Sequence, residues 1–320
     1  NEMLHFPYNE QELKIKLQAL QIALLRSGGH RRQTLSPEQK TVRDFGQDLF
    51  DALLTGETRV RYDVSQEKAR QQDKGLRIKL RINTPDLAAL PWEFLYDPRR
   101  ADYVCLARDT SVVRYLEFPR PIQPLTIKPP LRILGMVASP KDLPILNIKT
   151  EKRRIKQALQ GLQADGLVEL TWLEGQTWRH LQRAIRHGPW HVFHFIGHGG
   201  FDTYKETGFV VLADECGNAK RLEAKQLGRL LGNHRKLRLT ILNSCEGAHE
   251  SEHDLFSSTA STLVRYGIPA VVAMQYAITD RAAIEFARMF YEVLSDNLPI
   301  DEAIFEARLA VSMEIKNTIE

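Results

Sequence analysis

A chain of 320 residues, 43% of them hydrophobic, carries enough apolar material to bury a large core in one domain or two. Lys and Arg total 44 against 40 Asp and Glu, and the basic pairs at Arg31 and Arg32, Arg99 and Arg100, and Arg153 and Arg154 are scattered, so no stretch tracks a phosphate backbone and nucleic acid is not an expected partner. No run of about eighteen apolar residues and no basic-then-apolar leader is present, and three cysteines are too few for a disulfide scaffold; the expectation is a cytoplasmic chain with no membrane contact whose cysteines are thiols.

The first sixty residues read as helices, with Leu13, Leu17, Leu20 and Leu24 on one face of the first and Val42, Phe45, Leu49, Ala52 and Leu53 on one face of the second. From Gly75 to Arg81, Leu76, Ile78 and Leu80 alternate with basic residues, the signature of a half-exposed strand. The run from Pro91 to Pro98 and the apolar stretch from Tyr103 to Leu116 complete a small α/β unit, so residues 1–118 are expected to form an N-terminal helical and α/β region. Pro119, Pro121, Pro124, Pro129 and Pro130 then crowd into twelve residues, an extended semi-rigid crossing over 119–130.

Residues 131–320 alternate strand with helix, which argues for a parallel sheet covered by helices on both faces. Strands are expected at Leu131 to Ala138, Leu167 to Leu173, Trp190 to Ile196, Leu237 to Asn243 and Ile268 to Tyr276. Helices are expected near Lys149, after a Thr177 cap, around Leu227, around Leu263, and in two closing segments. A hairpin turning at Asp214 to Asn218 falls in between.

Two of these strands end alike. Seven bulky residues from Trp190 to Ile196 run into Gly197, His198, Gly199 and Gly200; some forty residues on, Leu239 to Asn243 runs into Ser244, Cys245, Glu246 and Gly247. Ligands of an open parallel sheet bind beyond the carboxyl ends of its strands, so His198 and Cys245 would share a cleft if the two strands are neighbours. A thiol attacks a carbonyl as its thiolate, and an imidazole in reach can take that proton and later return it to a leaving amine. The backbone N–H groups of Cys245 and Gly199 are the expected donors to a developing oxyanion. His191 and His194, on the same strand, read as structural. Cys105 and Cys216 read as inert, with Cys216 exposed in the hairpin turn.

The run from Phe193 to Phe201, the run from Ile241 to Glu246 and the run from Ala270 to Asp280 together resemble the CHAT family of caspase-like cysteine peptidases. Leu90 to Asp97, the strand from Leu131 to Ala138, and Asp301, Glu302 and Ala303 onward to Arg308 share the likeness, which covers nearly everything from about residue 75. The resemblance implies a caspase-like three-layer α/β/α sandwich related to separase and gingipain, with His198 and Cys245 as the dyad, Gly199 lending an oxyanion donor, and no cofactor. It also implies a protein substrate, with a sensor domain or partner protein in control. Members usually continue into a further strand after the last helix; with that missing here and Asn1 at the start, the chain is expected to be part of a longer protein. Ser244 is a small residue that the family pattern tolerates before the nucleophile.

Asp202, Asn243 and Asp280 border the expected cleft, and acidic groups there would favour Arg or Lys before the scissile bond. His249 to His253 spells a zinc-protease pattern, yet the segment is polar throughout and reads as a loop, so no metal is expected. A proteolytically silent interaction module and a thiol acyltransferase using the same pair are the alternatives to an endopeptidase.

Overall fold

The computed structural model describes residues 6–26, 36–82, 85–88, 90–116, 126–144, 146, 148–243, 257–275 and 280–314. It begins with three helices, α1 (Glu10–Arg26), α2 (Pro37–Leu53) and α3 (Gly56–Gln71). Ser36 starts α2 with a reciprocal cap: its hydroxyl accepts from the Gln39 N–H at 3.2 Å while the Gln39 side chain accepts from the Ser36 N–H at 3.0 Å. Strand β1 (Leu76–Leu80), the single turn α4 (Pro85–Ala88), the two-residue strands β2 (Tyr96–Asp97) and β3 (Asp102–Tyr103), and β4 (Thr110–Arg114) follow. β1 and β4 pair in parallel, and β2 and β3 pair antiparallel. Val42, Phe45, Leu49 and Phe50 of α2 share one apolar cluster with Leu80, Trp92 and Leu95, so the helices and the small α/β unit have a common core. A Cβ at Gly46 would collide with the Phe94 carbonyl, which is how α2 comes so close.

The remainder contains β5 (Leu131–Val137), α5 (Ile148–Ala164), β6 (Val168–Trp172), α6 (Trp178–Arg186), β7 (Val192–Ile196), β8 (Gly199–Asp202), β9 (Thr207–Ala213), β10 (Ala219–Glu223), α7 (Ala224–Gly232), β11 (Leu239–Asn243), α8 (Ser257–Arg265), β12 (Ala270–Ala273), α9 (Asp280–Ser295) and α10 (Ile300–Glu314). Five strands form a parallel sheet in the order β12-β11-β7-β5-β6. Alternate residues of β7 face opposite ways. Val192 and Ile196 join the cluster under α5, α9 and α10, whereas Phe193 and Phe195 join the cluster under α6, α7 and α8. All five residues of β7 are buried, as expected of a central strand covered on both faces. The result is the three-layer α/β/α sandwich that the resemblance implied.

Three readings change. α3 was not anticipated, because Tyr62 is its one buried side chain and Val60 and Val64 are exposed, leaving no apolar stripe to read. The last strand, expected to be buried, is half-buried because it is the sheet's edge. The glycines after His198, expected to end the strand in a turn, instead build β8, the edge of a small antiparallel sheet in the order β10-β9-β8. Gly200 fits there because a Cβ would come within 2.9 Å of the Phe209 ring.

Candidate active site

β5 is followed in the chain by β6 on one side of it and then by β7 on the other. The order reverses between β5 and β7, and a crevice opens at the carboxyl ends of strands that flank such a switch point. The loop after β5 and the residue after β7 meet in that crevice. His198 is 6% exposed, and its Nε2 lies 3.0 Å from the carbonyl oxygen of Pro144. A carbonyl only accepts, so Nε2 carries the hydrogen and the neutral ring keeps its lone pair on Nδ1. The backbone of His198 is held as well, its carbonyl accepting from the Val211 N–H at 2.9 Å. Gly197 lets the chain turn here: a Cβ would lie 2.6 Å from the Phe195 ring and 3.1 Å from the Ala138 carbonyl.

The loop that supplies Pro144 is tied at several points. Ser139 donates its N–H to Gln176 Oε1 at 2.7 Å and accepts from the Leu146 N–H on its hydroxyl at 3.0 Å. Lys141 N–H donates to the Gly217 carbonyl at 3.0 Å, and Asp142 Oδ1 accepts from the Ala219 N–H at 2.6 Å, fastening the loop to the β9–β10 turn. Sequence reasoning missed Pro144 because a backbone carbonyl has no side-chain signature. The available clue was its place in the loop after a strand next to β7.

β7 and β11 are parallel neighbours, with Asn243 level with Ile196 and the Gly197 N–H donating to the Asn243 carbonyl at 3.1 Å. His198 therefore emerges beside the end of the strand that leads toward the cysteine. Cys245 itself, with Ser244 and the His249 to His253 run, lies outside the described residues. Gly199 sits opposite Val210 in the β8–β9 ladder. The Val211 to His198 bond makes the preceding pair the hydrogen-bonded one, so Gly199 occupies a non-bonded position with its N–H turned away from β9.

Asp202 ends β8, and its carboxylate is engaged: Oδ1 accepts from the N–H groups of Tyr204 and Lys205 at 3.1 Å each, and Oδ2 lies 3.6 Å from Arg221 Nη1. Asn243 is half-buried at the end of β11. Asp280 is the first residue of α9, and its side chain lies outside the description. Of the other histidines, His191 accepts the Arg132 N–H on Nδ1 at 3.0 Å, and His194 pairs with the Tyr291 hydroxyl at 2.7 Å. Cys216 is exposed in the turn after β9; Cys105 is half-buried, with desolvation pushing its thiol pKa up.

The profile of the CHAT domain matches residues 43–317. The chain belongs to the CHAT family, a caspase-like peptidase family. The match starts some thirty residues before the stretch that carried the resemblance, in agreement with α2 sharing the core of the small α/β unit. No curated protein matches the chain. No helix among the described residues is long and apolar enough to cross a membrane.

Proposed function

We propose that this CHAT chain is a cysteine endopeptidase whose dyad is His198 and Cys245. One observation carries the reading: a histidine at the switch point, with Nε2 committed to a fixed carbonyl and Nδ1 left as base, beside the strand that runs into a cysteine. Two residues of chain reach at most about 7 Å, so covalent geometry alone keeps the Cys245 Cα close to that of Asn243.

In this mechanism Nδ1 of His198 takes the thiol proton, and the thiolate attacks the carbonyl carbon of the substrate. The N–H of Gly199 and that of Cys245 bind the oxyanion. The imidazolium, its Nε2–H still on Pro144, gives its proton to the leaving amine as the C–N bond breaks. Water, deprotonated by the same Nδ1, then hydrolyses the thioester and restores the thiol. The reading needs no cofactor. It takes 131–320 as the catalytic domain, 1–118 as a region packed beside it, and a sensor domain or partner as the control.

A preference for Arg or Lys before the scissile bond is part of the proposal. For Asp202 to serve it, a substrate cation must replace Arg221, an exposed partner whose loss costs little. Arg221→Ala should therefore lower KM for basic substrates and leave neutral ones unchanged; equal effects on both would remove Asp202 from the site. The main test is labelling by a peptidyl electrophile with a basic leading residue. Labelling is expected in the parent chain and lost in Cys245→Ala and His198→Ala, and labelling that survives both substitutions refutes the dyad.

A further inference from the structure

The opposite end of the same sheet holds an open cavity of about 480 Å³, within the range of small-molecule sites. It lies where β5, β7 and β11 begin. The segment leading into β5 supplies Thr126 to Pro130, Arg132 lies on β5 itself, Pro189 and His191 precede β7, and Lys236 precedes β11. His198 is seven residues along from His191, about 23 Å at the rise of an extended strand, so this cavity is separate from the candidate active site.

Its charge is one-sided. Lys128, Arg132 and Lys236 line it, and none of its described lining residues is acidic. Arg132 Nε is 3.1 Å from Glu169, whereas Lys128 and Lys236 have no carboxylate partner among the described residues. His191 adds a donor. Its Nδ1 accepts from the Arg132 N–H, so the neutral ring carries its hydrogen on Nε2, which makes no hydrogen bond to the described protein. Three strand-leading segments thus converge three cations and an imidazole N–H on one concavity whose other walls, Ile127, Pro129, Pro130 and Pro189, are apolar.

We infer that this cavity binds a small phosphate ester, with the phosphate among Lys128, Arg132, Lys236 and His191 and its organic body against the proline wall. Point charges and an N–H fork suit a phosphate dianion, and the apolar wall would make an ester bind more tightly than the bare ion. Burial, and then the charges of Arg132, Lys236 and His234, hold the His191 pKa below its ordinary value, so the neutral ring keeps Nδ1 as acceptor for Arg132 and offers its Nε2–H to a phosphate oxygen. The site also touches the closing helices, since the Ile127 N–H donates to Asn297 Oδ1 at 3.0 Å in the turn before α10.

The experiment is titration calorimetry of the intact chain with adenosine monophosphate, adenosine and inorganic phosphate at pH 8, where the phosphate is a dianion. Expected are saturable one-to-one binding of the monophosphate, none of adenosine, and weaker binding of phosphate. Lys128→Glu and Lys236→Glu, both at exposed positions, should each cost at least tenfold in affinity. Lys40→Glu, on α2 and remote from the cavity, should cost nothing. Absence of saturable binding, equal binding of adenosine, phosphate as tight as the monophosphate, or equal losses at Lys40 and Lys236 would each overturn the assignment.

Discussion

His194 gives the sharpest test of how this core is built. It is the central residue of β7, 4% exposed, with Nδ1 2.7 Å from the Tyr291 hydroxyl, its ring stacked on that tyrosine, and Nε2 buried with no partner among the described residues. A charged imidazole there would lose its hydration, and this desolvation pushes the pKa from an ordinary 6.5 down to about 4. The unfolded chain binds a proton below pH 6.5 and the folded one does not until about pH 4. The stabilisation is therefore complete above 6.5 and lost as pH falls through that window. At about 1.4 kcal/mol per pH unit per proton, the loss amounts to roughly 3 kcal/mol by pH 4. His194→Gln removes the titration and retains a polar side chain. Urea unfolding followed by tryptophan fluorescence should show the parent more stable than the variant at pH 7.5, by about 1 to 2 kcal/mol for the lost hydrogen bond and stacking. That difference should move by about 2.5 kcal/mol on going to pH 4.5, leaving the variant the more stable of the two. His191 and His234, whose pKa values are also lowered, are present in both proteins and cancel. A stability difference that stays constant from pH 7.5 to 4.5 would refute the reasoning.

Other perturbations probe the remaining contacts. Gly208→Ala should lower stability by roughly 1 to 3 kcal/mol, because its Cβ would collide with Thr259; Gly161→Ala, in open space within α5, should raise the urea midpoint by about 0.5 to 1 kcal/mol equivalent. Asp301→Asn weakens the bonds from Arg77 (2.8 and 2.5 Å) and Ser111 (3.2 Å) that join α10 to β1 and β4, and should cost about 1 kcal/mol in the same assay. Gln176→Leu removes the acceptor for the Ser139 N–H and loosens the loop that carries Pro144. For a peptidase, kcat should drop about tenfold with KM little changed, since base orientation is used in the chemical step and not in binding. A KM effect with kcat intact would place that loop in substrate binding instead.

The parts of the fold visible in the sequence are those whose burial imposes a period. β5, β7 and β11 appear as short apolar runs and β6 as an alternation of apolar and polar residues, and Thr177 caps α6 as its position suggested, accepting from the His180 N–H. What stayed hidden depends on neighbours. β12 has the composition of a buried strand and is half-buried as the edge of the sheet among the described residues, which no local pattern reports. β8 is rich in glycine and reads as a turn; it becomes a strand because β9 offers a ladder and Phe209 fills the space over Gly200. α3 is held by Tyr62, Gln66 and ion pairs rather than an apolar stripe, with Gln66 donating to the Tyr62 and Thr110 hydroxyls. In the candidate site, the matching ends of the histidine and cysteine strands were legible, whereas their adjacency was a condition of the reading that the parallel pairing of β7 and β11 meets. The engagement of Asp202 by its own turn and by Arg221 was not, since it arises from a hairpin partner nineteen residues away.

The small sheet beside His198 also ties the histidine to α8. The carbonyl of His198 is bonded to β9 through Val211, and β9 is fastened at its start to α8, where the Gly208 N–H donates to Ser258 Oγ at 3.1 Å. α8 is the helix that follows the cysteine segment in the chain. The absence of a side chain at Gly208 lets strand and helix approach closely at Thr259, where a Cβ would collide with the hydroxyl and lie 2.6 Å from the backbone nitrogen. On its other side the histidine is gripped by the Pro144 loop, which is bonded to the turn that joins β9 to β10. His198 is thus held from two sides, by β9 and by the Pro144 loop, and both supports run through the small antiparallel sheet.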